Sequence, residues 1–224
     1  MGTRLSRLIL AFAAINLCAL KVTVAAPSIE GIWDPVFAAG LGHPQPENVS
    51  LTQEGRAEYQ SFSKDKDPTL KCIMPGVPLG IYDPYPLEIV EQAHQITFLH
   101  EHFHMVRRIF MDGREAPNDW WPSLSGFSVG HWEENTLVVT TTHLSPDNIM
   151  WHNGMPFSGD SDSYTIERYS FDGDEMNLSA EIFDPRYYAE PYQIVARRSR
   201  TADGMIFEYE CYAEYSGAEL EDGS

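Results

Sequence analysis

From Pro86 to Tyr215 the chain is a succession of short β-prone runs, with turn chemistry between them and no long helical pattern to interrupt them. "PLEIVEQ" and "QITFLHEHF" flank Ala93–His94 as a hairpin candidate, and "HMVRRIFMDGR" ends in the turn pair Asp112–Gly113. "NTLVVTTTHL" is rich in β-branched residues, which pack well on a pleated surface. Then "SYTIERYSF", "MNLSAEIFD", "YQIVARRSR" and "MIFEYECYAEY" follow, separated by "DGDE", "PRYYAEP" and "TADG". Strands so closely spaced, without helices between them, predict an antiparallel sandwich or barrel. Residues 27–80 are irregular and rich in Pro, Gly and charge. There "GIWDP" is a strand candidate, and "TQEGRAEYQSFSK" a short helix capped by Thr52.

The first residues carry a different pattern. Arg4 and Arg7 precede the thirteen-residue apolar run "LILAFAAINLCAL", and "VTVAAPS" supplies small residues for cleavage. This is the layout of a secretory signal peptide, too short for a membrane span. The expected division is a signal over residues 1–25 and a single β-barrel domain over 26–224, in a periplasmic or secreted protein. Cleavage leaves Cys72 and Cys211, and an even pair in an oxidising compartment reads as a disulfide, here between a loop and the last strand. Loss of Arg4, Arg7 and Lys21 takes the formal charge from −18 to −21. Such a surface repels phosphate, so nucleic acid and anionic membranes are poor partners. No later apolar run is long enough to insert in a membrane. Oligomeric state is not legible. Asn48-Val49-Ser50 and Asn177-Leu178-Ser179 are glycosylation sequons, relevant only in a eukaryotic host.

Gly31-Ile32-Trp33 opens the first strand candidate, and Gly130-His131-Trp132 echoes it. A Gly-x-Trp at that place resembles the lipocalin and calycin barrels. The resemblance implies that Trp33 closes one barrel end and that a late arginine, Arg197 or Arg198, packs over it. The expected fold is therefore an all-β, antiparallel, calycin-like β-barrel with a long irregular N-terminal segment. A second resemblance spans roughly residues 70–212. It rests on Glu101, His104, Arg107, Arg108 and Ile109, on Gly130, Trp132 and Thr136 to Val139, on Glu167, Arg168 and Tyr169, and on Cys211. In these positions the chain is similar to a widespread group of exported bacterial proteins without an established function. It assigns no catalytic residue. His100, His102 and His143 depart from the group's common pattern, which implies a specialised pocket.

"LHEHFHMVRR" places His100, His102 and His104 at alternate positions. If residues 96–106 form one unbroken strand, Ile96, Phe98, the three histidines and Val106 share a face, as in a barrel interior. No Gly, Asn or Pro marks a turn there. One use of that face is acid–base chemistry. His102 and His104 would move protons, Glu167, Glu181 or Asp184 would orient them, and Arg107 or Arg108 would hold negative charge. A second use is metal binding, with a further ligand from His131, His143, His152, Glu167 or Asp184. The outer histidines of such a strand lie about 13 Å apart, so the three cannot share one tetrahedral ion. A third is structural, with Arg107 and Arg108 forming an ion-pair ladder with Glu167 and Glu181.

Trp120, Trp121, Trp132 and Trp151, with Tyr187 and Tyr188, fall in loops or at strand ends, where small-molecule sites form. "MPFSGDSDSY" after Trp151 suits a mobile lip carrying Asp160 and Asp162. Dinucleotide, phosphate-loop and nucleophile-elbow motifs are absent, and no cofactor is implied. The expected function is an exported, cofactor-free lyase, isomerase, dehydratase or cyclase acting on a small hydrophobic or aromatic molecule in the barrel. Its catalytic set would be His102, His104, Glu167 and Asp184. His100, Arg107, Arg108, Trp120, Trp121, His143, Trp151 and Tyr187 would contact the substrate. The alternative is a periplasmic carrier of a similar ligand, and the third a histidine-ligated metal enzyme.

Overall fold

A computed structural model describes residues 27–37 and 46–212. The expected signal peptide lies outside them. Nine strands close into one barrel in sequence order: β1 Gly31–Pro35, β2 Leu87–Gln92, β3 Gln95–His100, β4 Val106–Phe110, β5 Phe127–Glu133, β6 Thr136–Thr142, β7 Tyr164–Asp172, β8 Glu175–Phe183 and β9 Tyr192–Thr201. β9 returns to β1, pairing Trp33 with Arg200. The pairs are antiparallel except β4 with β5, which run parallel through Ile109↔Ser128 and Phe110↔Val129. The chain must return to the starting end of β4 before β5 begins, so the expected all-antiparallel ladder becomes a mixed one.

Alternation fills the interior. On β7 Thr165, Glu167, Tyr169 and Phe171 point inward, and on β8 Met176, Leu178, Ala180 and Ile182. They meet Trp33, Leu87, Ile89, Phe98, Ile109, Leu137 and Val139, all essentially without solvent contact. Trp33 packs edge-on to Phe171 and donates Nε1–H to the Ile29 carbonyl. The expected arginine cover is divided between two residues. Arg200 lies over the Trp33 ring at 4.7 Å, while buried Arg198 donates to the Trp33 and Tyr85 carbonyls. Arg197 points outward toward Glu175.

Two sequence expectations fail. The histidine run is not one strand. β3 ends at His100, a turn occupies Glu101–His104, and β4 begins at Val106. Phe103 and His104 carry the reversal at φ 54° and 50°, left-handed values that side chains other than glycine adopt at a cost of roughly 1–2 kcal/mol each. Because the turn resets the alternation, Ile96, Phe98 and His100 face inward before it, and Arg107 and Ile109 after it. The run "MIFEYECYAEY" is likewise not a strand: its described part, through Tyr212, joins no β-ladder. It is nevertheless tied down, because Cys211 is bonded to Cys72.

Outside the barrel, two helices, α1 (Gln53–Ser61) and α2 (Val77–Gly80), and the long β6–β7 connection form a covering layer. Thr52 caps α1 by accepting from the Gly55 N–H at 3.0 Å. Gly55 sits so close to the Tyr187 backbone that a Cβ there would lie 2.2 Å from its carbonyl oxygen. Asn148 pins the β6–β7 connection, accepting from Val77 N and donating to the Ser145 carbonyl. Among the described residues no helix is long and apolar enough to cross a membrane.

Candidate functional site

The barrel interior holds a dense polar network centred on Arg107 and Glu167. Arg107 reaches across from β4 to make a forked pair with Glu167, Nη1 to Oε2 at 2.6 Å and Nη2 to Oε1 at 2.7 Å. Its Nε–H and second Nη2–H go to Ser128 Oγ and Thr141 Oγ1. Thr165 and Tyr169 hydroxyls then donate one to each Glu167 oxygen. Burial opposes ionisation of both partners, but each charge more than compensates the other, so Glu167 sits below and Arg107 above its ordinary pKa. Glu167 is therefore an ionised acceptor with every lone pair committed. It has no proton to give.

A second buried cluster lies where the strands end, and it is open. Asp83, three residues beyond α2, brings Oδ2 to 3.6 Å from both His100 Nδ1 and His102 Nδ1. Those contacts are longer than hydrogen bonds, and the three atoms have no other partner among the described residues; nor does His100 Nε2. Arg198 supports the carboxylate from behind, at 3.6 Å from Oδ1. Desolvation works to raise the Asp83 pKa, yet the imidazoles and Arg198 hold it well below the carboxylate range. Burial drives His100 the other way, down from 6.5 against the pull of Asp83. The cluster thus balances one carboxylate with one guanidinium beside a neutral His100.

An accessible hollow lies elsewhere. A groove of about 330 Å³ lies between α1, the β6–β7 connection and the 184–188 turn. Phe62, Trp151, Met155, Phe157 and Tyr187 give it apolar walls, with Glu58, Lys66 and Arg186 at its polar edges. Its size suits a small molecule. Trp151 is stacked on Tyr82 with ring centres 5.4 Å apart, and the Tyr82 hydroxyl donates to the Met150 carbonyl. Gly154, at φ 87°, passes so near the Phe62 ring that a Cβ would lie 2.3 Å from it, so this wall requires glycine.

Beside the groove, next in sequence to Lys66 and Trp151, stands an imidazole–carboxylate dyad. His152 Nδ1 donates to Asp67 Oδ2 at 2.9 Å. Asp67 is buried, and its other oxygen accepts from Thr69 N–H and Thr69 Oγ1–H. Burial alone would raise the Asp67 pKa; the His152 and Thr69 hydrogen bonds outweigh it, and the value is lowered. An ionised acceptor on Nδ1 selects the Nδ1–H tautomer and leaves Nε2 as the basic nitrogen of a ring that is 37% exposed. That is the arrangement of a positioned general base.

The residues singled out from sequence scatter accordingly. Trp151 and Tyr187 do meet, in the groove. His100 and His102 meet on Asp83, but His104 is turned outward, where Nε2 accepts from the Tyr209 N–H. Asp184 orients no histidine: both its oxygens are taken by Ser158, and burial raises its pKa despite those bonds. Arg108 faces solvent, Glu181 accepts from Gln193, and His143 lies exposed on Thr142. Trp120 and Trp121 form a separate outer depression with Pro117, Asp119 and Ser123. Among the described residues no group of three His, Cys, Asp or Glu side chains is placed to hold a metal ion. Asp67 escaped the sequence reading, and His152 entered it only as a possible ligand. The one available signal was "DPT", an N-cap signature that places Asp67 at the head of the 3₁₀ turn Pro68–Lys71. The 85-residue separation of its histidine hid the rest.

The chain matches no protein-family model and shows no significant similarity to a curated protein.

Proposed function

We propose that this chain is an exported acid–base enzyme that takes a small aromatic molecule in the groove and moves a proton on it with His152. The observation that carries the reading is the 2.9 Å Asp67–His152 bond, whose two residues directly follow the groove-lining Lys66 and Trp151 in sequence. Asp67 fixes the tautomer and stabilises the imidazolium as it forms, and Nε2 takes the proton. The aromatic walls hold the substrate ring, and Lys66 or Arg186 favours the negative charge that proton removal leaves behind. A lyase or isomerase step of this kind needs no cofactor. The chemistry therefore moves out of the barrel to its covering layer. The calycin kinship of the barrel and the link to the group of exported bacterial proteins belong to the same proposal, supported by Trp33 with its arginines and by the disulfide.

The test is proton exchange. 2-Indanone, an aromatic ketone with acidic C–H groups, should incorporate deuterium from D₂O faster with the wild-type protein than with His152→Gln. Equal rates for the two proteins would sink the enzyme. A carrier is the second reading, favoured by the prior engagement of both cations: Arg186 is paired with Glu54, and Lys66 donates to the Ser61 carbonyl. Quenching of Trp151 fluorescence by 2-indanone without any exchange would select it.

A further inference from the structure

The Asp83–His100–His102 cluster plays no part in the proposed reaction, and its unpartnered atoms need an explanation. Buried polar groups are ordinarily satisfied, and those that are not mark a site or a reservoir of strain. What buries this cluster on one side is the C-terminal strap, residues 204–212. The Tyr209 ring stands edge-on to both His102 and Tyr85, at 5.1 and 5.5 Å, and Tyr85 stacks on His102 with ring centres 4.5 Å apart. Phe207 N–H donates to Glu101 Oε2 and Tyr209 N–H to His104 Nε2. The strap thus sits on the left-handed turn at Phe103 and His104, with the Phe103 ring 4.9 Å from Tyr209.

The strap has the look of a cover. It makes no ladder with the barrel, and Met205 and Phe207 are more than half exposed. Its covalent hold is the Cys72–Cys211 bond, which spans 139 residues of sequence. We infer that His102 and Asp83 form a second imidazole–carboxylate site, closed by the strap in the oxidised protein and opened by thiol–disulfide exchange. A dithiol supplies the two electrons and two protons that convert the bond to two thiols, and is itself oxidised to a disulfide. Strap release then bares His102, while His100, on β3, stays inside the barrel. This inference is independent of the groove.

The experiment is histidine acylation by diethyl pyrocarbonate, mapped by mass spectrometry on the full-length oxidised protein and on protein reduced with dithiothreitol and alkylated. His102 should react at least tenfold faster after reduction, with His100 unchanged. Tyr209→Ala, which keeps the disulfide, should speed His102 severalfold by itself, so the inference is testable even if the reduced protein fails. Three results would overturn it: His102 already reactive when oxidised, His102 still protected after reduction and in Tyr209→Ala, or His100 and His102 exposed together with loss of the near-ultraviolet circular dichroism.

Discussion

The two buried charge clusters have similar ingredients and opposite bookkeeping. Around Arg107 and Glu167 every side chain is hydrogen-bonded, all four Glu167 acceptor positions are filled, and four strands share the result. Around Asp83 the ion pair with Arg198 is loose and the imidazole nitrogens stop short of bonding distance. A closed network in a low-dielectric interior rigidifies and has no capacity left for chemistry. An open one is kept only because something covers it. The proposed chemistry is therefore assigned not to the barrel centre, where the sequence suggests it, but to its margins, at His152 and at His102 beneath the strap.

The sharpest way to break this contrast is to remove one partner from each cluster. Glu167→Ala strands a buried guanidinium and should cost about 3–5 kcal/mol in urea denaturation. Asp83→Ala should cost less, roughly 1–3 kcal/mol, because Arg198 keeps its three backbone carbonyls. A reversed order would mean that the open cluster, not the closed one, supports the barrel.

Acid sharpens the same comparison. The folded His100 has a pKa below 6.5, so the unfolded chain takes a proton that the folded one resists. Its contribution to stability is full above about pH 6.5 and declines as pH falls through that value. Asp83 and Glu167 act lower down: their folded values are depressed, so their contributions hold above the ordinary carboxylate range and fade below it. Thermal melts from pH 8 to 3 should show both declines, and His100→Gln should erase the upper one alone. The smallest effect belongs to the groove. His152 is partly exposed, so His152→Gln should change stability by less than about 1 kcal/mol while abolishing exchange of 2-indanone.

Much of the barrel was legible because alternation and turns are local. The Ala93–His94 hairpin, the Thr52 cap and the disulfide stand where the residues indicate. The break at Phe103 was not legible: its two left-handed residues carry no glycine or asparagine, and the strap that packs on them arrives from a hundred residues away. The missing last strand has a related cause, since "MIFEYECYAEY" alternates well but finds the barrel already closed by β9 on β1. For the site, the aromatic residues expected in loops divide: Trp151 and Tyr187 line one groove, while Trp121, 82% exposed, lies in a separate depression. Sequence spacing favoured the three clustered histidines, whereas the proposed Asp67–His152 pair is assembled by two loops of the covering layer.

The placement of the base is tested most directly by a ¹H–¹⁵N spectrum of the histidine side chains, assigned with His100→Gln, His102→Gln and His152→Gln. At pH 8 the account predicts His152 as the Nδ1–H tautomer and an Nε2 resonance that moves when 2-indanone is added, with His100 and His102 unmoved. An Nε2–H tautomer at His152, or a ligand response confined to His100 and His102, would contradict it.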